Sequence, residues 1–249
     1  MAPAGYSKIM TSSIMLKSPP SRRVTSRSAA TRAKLISVAE RLFAESGVDG
    51  VTLQQIGKTA GQSNAAVCQY HFGDKETLLQ AILDKHIPGI VRRRHALLDQ
   101  LDQSGPAKLN DVVRALIYPV AEKLMDPDGG EDFIRINAQL VATHTIVAQQ
   151  MGPTTLHLPN QDRLTHALHD SMAPYNLPES VVKQRSMLAA VLLFHGLSEH
   201  IKIKRCTKSS GMDIDTEIFI HTLEDGLLGF LSAPTSPMTT PEKTSASQA

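Results

Sequence analysis

The sequence predicts an all-α protein: an N-terminal three-helix unit built around a helix-turn-helix, followed by a larger helical domain. Apolar residues recur at helical spacing through most of the chain, and no stretch alternates with the period of two that a strand requires. Residues 52–79, TLQQIGKTAGQSNAAVCQYHFGDKETLL, encode two short helices joined by a glycine-containing turn. At 249 residues and 41% hydrophobic content, the chain can form one small and one medium domain, each with a core.

Composition also bounds the function classes. Two cysteines, Cys68 and Cys206, provide no disulfide framework and fit a reducing compartment. No apolar run approaches the ~20 residues of a membrane span, and no apolar block with a cleavage site opens the chain. A cytoplasmic protein without a membrane partner is expected.

Residues 1–27 are rich in Ser, Pro and Thr, lack periodicity and are expected to form a disordered basic arm. Lys8, Lys17, Arg22, Arg23, Arg27, Arg32 and Lys34 all precede the first acidic residue, Glu40, although the whole chain carries only +2. Such an arm can neutralise phosphates or enter a minor groove, and Arg27 and Arg32 are the candidates for DNA contact.

A first helix over 31–46 carries a wide apolar stripe of Leu35, Ile36, Val38, Ala39, Leu42 and Phe43, with Gly47 as its C-cap. It is expected to complete a three-helix core with Ile56 and Val67, in which Phe43 and Phe72 are plugs. Thr52 followed by Gln55 is a capping-box pattern, so a second helix starts there. Gly61 ends it, and Ser63 is expected to cap a third helix running from Asn64 to about Tyr70. Together these make residues 28–75 the helix-turn-helix domain.

At these residues the sequence resembles the TetR family of bacterial transcription regulators. The resemblance rests on Thr52, Ile56, Ala60-Gly61, Ser63, Ala65, Tyr70-His71-Phe72, Lys75-Glu76 and Leu78-Leu79, preceded by Leu42-Phe43-Ala44-Glu45-Ser46-Gly47. It covers residues 28–85. One spacing departs from the commonest family pattern: Val67 to Phe72 is five residues where four is usual. Base reading then falls to the N-terminus of the third helix, with Gln62, Ser63, Asn64, Ala65 and Gln69 as candidates, because Asn and Gln pair with adenine and a small Ala can touch a thymine methyl. Thr52, Tyr70, His71 and Lys75 sit at helix ends that in the resembling family meet the sugar-phosphate backbone.

A long helix opens at Asp74-Lys75-Glu76 and carries Leu78, Leu79, Ile82, Leu83, Ile87, Ile90, Leu97, Leu98 and Leu101. Pro88 lies inside it and is expected to kink or break it near residues 85–87. The run Arg92-Arg93-Arg94 reads as a solvated face. Further helices are expected over 108–125, 131–144, 159–172, 178–204 and 213–231, with Asp126-Pro127-Asp128-Gly129-Gly130 an acidic turn that lacks the ligand spacing of a calcium loop. Residues 233–249, rich in Pro, Thr and Ser, are expected to form a second disordered tail.

Residues 76–232 are read as the ligand-binding and dimerisation domain. Met187 to Phe194 is apolar nearly all round, so both faces need cover and one chain covers one. The resemblance implies a four-helix bundle between two-fold mates, with Met187, Val191, Phe194, Ile218, Leu223 and Leu227 at the interface. The ligand pocket is expected between the long helix and those that follow it, with Leu116, Met125, Phe133, Asn137, Leu140, His144 and His166 among its walls.

No nucleophile elbow, phosphate-binding glycine loop or CxxC is present, so no catalytic residues and no cofactor are assigned. His166 and His169 share a helix spacing that could hold a metal, but no second cluster supports them and none is assigned. The expected function is a ligand-responsive regulator, most simply a repressor that binds a palindromic double-stranded operator as a homodimer and is released by a small-molecule inducer. The competing class is a helical protein-interaction module without specific DNA binding.

Overall fold

The computed structural model describes residues 26–64, 66–103, 105, 107–151, 162–207 and 214–236, and of 142–151 and 162 the backbone alone. The expected arm and tail lie outside these residues, apart from Ser26 and Arg27 at one end and 233–236 at the other. All regular structure described is helical: α1 (Ser26–Ser46), α2 (Leu53–Thr59), α3 (Val67–Phe72), α4 (Lys75–Asp102), α5 (Leu109–Ala121), α6 (Gly130–Met151), α7 (Asp162–Met172), α8 (Glu179–Thr207) and α9 (Thr216–Ser232), with short 3-10 turns at Glu122–Met125 and Ala173–Tyr175.

Two apolar cores divide the molecule. The first gathers Leu35, Ala39 and Phe43 of α1, Ile56 of α2, Cys68 and Phe72 of α3, and Leu78 and Ile82 of α4. The second gathers Ile87 and Ile90 of α4 with the inner faces of α5 to α9. α6 joins them, since Ile136 is buried in the first core and half-buried Leu140 packs against both.

Several elements differ from expectation. α1 begins at Ser26, so Arg27 is helical rather than part of an arm; the Thr31 hydroxyl donates to the Arg27 carbonyl there. α4 does not break at Pro88 but runs unbroken from Lys75 to Asp102. The proline removes one backbone donor, whereas Leu83, Ile87 and Ile90 on either side of it are each buried against the second core, at ~1.5–3 kcal/mol per side chain. The arginine run is not one solvated face. Arg93 pairs with Glu122 at 2.8 Å, while Arg94 is 7% exposed and donates through Nε to the Ala115 carbonyl at 3.2 Å.

Candidate nucleic-acid interface

The turn between α2 and α3 is fixed by local hydrogen bonds that the sequence encodes residue by residue. The Thr52 hydroxyl accepts from the Gln55 amide at 3.2 Å, and the Gln55 side chain accepts from the Thr52 amide at 2.7 Å, closing the capping box. At the other end Gly61 stands at φ +69°, its amide donating to the Lys58 carbonyl while the Gln62 amide donates to that of Gly57. This paired arrangement satisfies two carbonyls that the helix end leaves open, and it requires a left-handed residue at position 61.

α3 begins later than expected. Ser63 does not cap it; instead the Asn64 carboxamide oxygen accepts from the Ala66 amide at 2.9 Å, which closes a turn before the helix opens at Val67. A side chain that bonds two residues ahead holds the chain in a turn instead of starting the helix itself. Val67 packs half-buried against the first core, while the fully inward place of α3 is taken by Cys68, which has no exposed surface. Cys68 and Phe72 are four residues apart, about one helical turn, so both face inward together. The odd spacing of the motif thereby resolves: the inward residue before Phe72 is the cysteine. Burial pushes its thiol up to about 11.

With Cys68 and Phe72 inward, Gln69 and Tyr70 point outward, and Tyr70 is 63% exposed. Ser63 and Asn64 are exposed and Gln62 is half-buried on the approach to α3; Ala65 lies outside the described residues. This cluster, with half-buried His71 at the end of α3, forms the outer ridge of the head. Arg32 joins it from α1, where its guanidinium stands 5.0 Å from the centre of the Phe72 ring. Thr52 is also exposed, but its hydroxyl is engaged in the cap.

Lys75 departs from the role expected of it. Its ammonium donates to the Val48 and Asp49 carbonyls at 3.0 and 3.3 Å, tying the start of α4 to the loop before α2. The charge is therefore directed into the head's own backbone, and its first effect is to hold α4 against that loop. At the same corner the Asp74 carboxylate accepts from the Thr77 amide at 2.7 Å, and that backbone hydrogen bond holds its carboxyl below the usual range.

The residues assigned to a ligand pocket do not converge. Leu116 and His166 share a cavity of about 470 Å³ between α5, α7 and α8, with Leu164, Leu168, Val182 and Met187. Met125 is 80% exposed and lines a separate polar crevice between α1 and the start of α6. Phe133 is buried against the His86 ring, and Asn137 spends its amide on the Phe133 carbonyl of its own helix at 2.8 Å. Leu140 is packed between the two cores. The His144 side chain lies outside the described residues.

The interface assignments also divide. Leu227 is 1% exposed and belongs to the chain's own second core instead of facing a partner. Phe194 and Leu223 pack half-buried against that core, Val191 is half-buried, and Met187 lines the cavity. Ile218 stands outward, and within the 187–194 run the exposed residues are Leu188 and Leu192, which were not singled out. Among the described residues no group of three His, Cys, Asp or Glu could hold a metal, and no helix is long and apolar enough to cross a membrane.

Comparison with known proteins agrees with the head. Residues 35–82 match the model of "Bacterial regulatory proteins, tetR family". The chain is 41% identical over 63 residues to the HTH-type transcriptional regulator TtgR of Pseudomonas putida, covering 25% of this chain and 30% of that protein. It is 24% identical over 182 residues to the HTH-type transcriptional regulator AcrR of Shigella flexneri, covering 72% of this chain and 81% of that one. A solved gamma-butyrolactone receptor (ArpA-like protein) is similar over 80% of this chain and 97% of its own, at 22% identity and a TM-score of 0.41. The match to TtgR thus spans less than a third of that relative.

Proposed function

We propose, from the premise that this chain belongs to the TetR family of bacterial regulators, that it is a ligand-responsive transcription regulator acting as a homodimer on a palindromic operator. The observation that carries the proposal is the outer ridge of the head: Ser63, Asn64, Gln69 and Tyr70 are presented outward by a turn whose bends are fixed by local hydrogen bonds. Exposed amides in the turn before α3 and on its outer side are suited to base edges in a major groove, and Arg27 and Arg32 of α1 with His71 to phosphates.

The second half of the reading is supported by shape. Exposed Leu188, Leu192 and Ile218 on α8 and α9 give an apolar outer surface suited to a two-fold mate, which would set two heads on two half-sites. The cavity between α5, α7 and α8 is of a size for a small effector. In this reading the DNA-bound protein represses its target, and the effector releases it.

The test is fluorescence anisotropy with duplexes from the region upstream of the protein's own gene, against a scrambled duplex, across a salt series. Specific binding that Gln69→Ala weakens by about 1–3 kcal/mol on the specific duplex alone is expected. Equal affinity for both duplexes would place the chain in the protein-interaction class instead.

A further inference from the structure

Arg94 occupies a position that the pattern of its helix reserves for an apolar side chain. Leu83, Ile87 and Ile90 of α4 belong to the second core and Leu98 is buried one turn beyond Arg94, which falls between them at one-turn spacing. Among the described residues its hydrogen bonding is a single contact, from Nε to the Ala115 carbonyl. That carbonyl is one that α5 cannot satisfy itself, because the residue four places on is Pro119, which has no amide hydrogen.

This bond explains why a donor stands at position 94, but it does not explain a charge. A neutral amide could donate to the same carbonyl without bringing a cation into an apolar stripe, which is costly unless the cation is paired. Among the described residues no carboxylate pairs with Arg94. Several carboxylates of α4 and of the elements around it pair elsewhere: Asp99 and Asp102 with Arg163, Glu122 with Arg93, and Glu224 with Arg114. The terminal nitrogens of the guanidinium likewise meet no acceptor among the described residues. Because no buried side-chain nitrogen or oxygen there is both sealed and unpartnered, they still open onto accessible space. Burial also pulls the guanidinium down to about 10, the direction expected of a cation without a counter-charge.

We propose that the Arg94 guanidinium anchors the acidic head group of a small amphipathic ligand, a carboxylic acid with an apolar body, at the seam of α4 and α5. The fork of terminal N–H groups matches a carboxylate, and half-buried Val91 and Leu101, one turn before and two turns after Arg94, leave apolar surface for the body. This inference rests on the reading of the chain as a ligand-responsive regulator and gives its ligand a chemical class. α4 runs from the head's core into the body's core, so an anion that draws in Arg94 acts on a helix whose two ends belong to different cores.

The experiment compares acids with their neutral isosteres on the full-length protein. Sodium hexanoate, octanoate and benzoate are titrated against hexanamide, octanamide and benzamide, following the melting temperature and, in parallel, anisotropy of the upstream duplex. At least one acid is expected to bind about tenfold or more tightly than its amide, as a charge-assisted pair requires. Arg94→Gln, which keeps a donor for the Ala115 carbonyl, should abolish that preference, and Arg94→Lys should retain part of it. The proposal is overturned if acids and amides act alike on the wild type, if no acid raises the melting temperature, or if Arg94→Gln discriminates as the wild type does. The wild-type comparison needs no variant to fold. Absence of DNA binding with the acid preference intact would sink the regulatory reading alone; release of DNA by amides and acids equally would sink this inference alone.

Discussion

Cys68 illustrates how one side chain decides the geometry of the reading head. It fills the inward position one turn before Phe72, and its thiol, raised to about 11 by burial, is held protonated near neutral pH. Iodoacetamide at about pH 8 should therefore modify exposed Cys206 quickly and leave Cys68 untouched until denaturant is added. Equal rates for the two in the native protein would mean that α3 is not packed as described. Lys75 is a second residue whose effect is local. Its charged hydrogen bond to the Val48 carbonyl is partly buried and that to Asp49 exposed, so Lys75→Ala should cost about 1–2 kcal/mol of stability in a urea titration. An unchanged midpoint combined with a salt slope of DNA binding flatter by about 1 would restore its role on phosphate. The capping box and the Gly61 turn were legible in the sequence because each is closed by residues within a few positions of one another. The choice of Cys68 over Val67 was not, because both residues are small and apolar and the helix start that decides between them depends on an Asn64 turn. Arg94 was hidden for a different reason: its burial depends on an α5 carbonyl twenty-one residues away in sequence.

At the scale of elements, α8 is the clearest case of a pattern that fixes the helix but not its neighbours. A helix apolar nearly all round must be covered on every side, yet nothing in its sequence distinguishes a side covered by its own chain from one left outward. The structure separates them: Leu193 is 1% exposed within the second core, whereas Leu192 is 44% exposed. Leu193→Glu should bury an unpaired charge and lower stability by at least ~3 kcal/mol, while Leu192→Glu should leave the melting temperature of the monomeric fold almost unchanged and shift sedimentation from dimer to monomer. If the two substitutions act alike, the outer surface of α8 is not the interface. The pairing of α8 with α9 has a titratable element of its own. His200 stacks on Phe219 at 4.3 Å and meets the Thr216 hydroxyl at 3.1 Å, and burial, then the nearby Lys204, lower its proton affinity. The folded state thus binds the proton more weakly than the unfolded chain, so this contribution to stability is fully present above the ordinary value of 6.5 and is lost as pH falls below it. His200→Gln should flatten the decline of the melting temperature between about pH 6.5 and 5, and an identical decline in both proteins would assign it to other groups.

Across the whole molecule, the head is joined to the body by buried charge as well as by apolar contact. Glu40 of α1 is 1% exposed and reaches two residues of α4 at once, His86 Nε2 at 2.5 Å and Lys85 Nζ at 2.8 Å. Lys85 continues to Asp128 at 2.9 Å in the turn before α6, the other His86 nitrogen faces Asp126 at 3.8 Å, and its ring lies against Phe133 of α6. A further strut runs from the Gln139 side chain to the Phe43 carbonyl at 3.2 Å. None of this is local in sequence: Glu40 meets its partners 45 and 46 residues on, so a lone acid in the apolar stripe of α1 gave no sign of them. Removing the shared carboxylate leaves a buried imidazole and a partly buried ammonium without their acceptor, a loss of ~3–5 kcal/mol for a fully buried pair. Because Lys85 is 21% exposed and keeps Asp128, the lower end of that range applies to Glu40→Ala, about 3 kcal/mol. Glu40→Gln should cost less, since its carbonyl can still accept from Lys85. Calorimetry of the wild type should show one cooperative transition, as Ile136 and Leu140 of α6 bind both cores together, and Glu40→Ala should lower it and let the head unfold ahead of the body. A single transition at the wild-type temperature in Glu40→Ala would show that the apolar contacts of α6 alone hold the head in place.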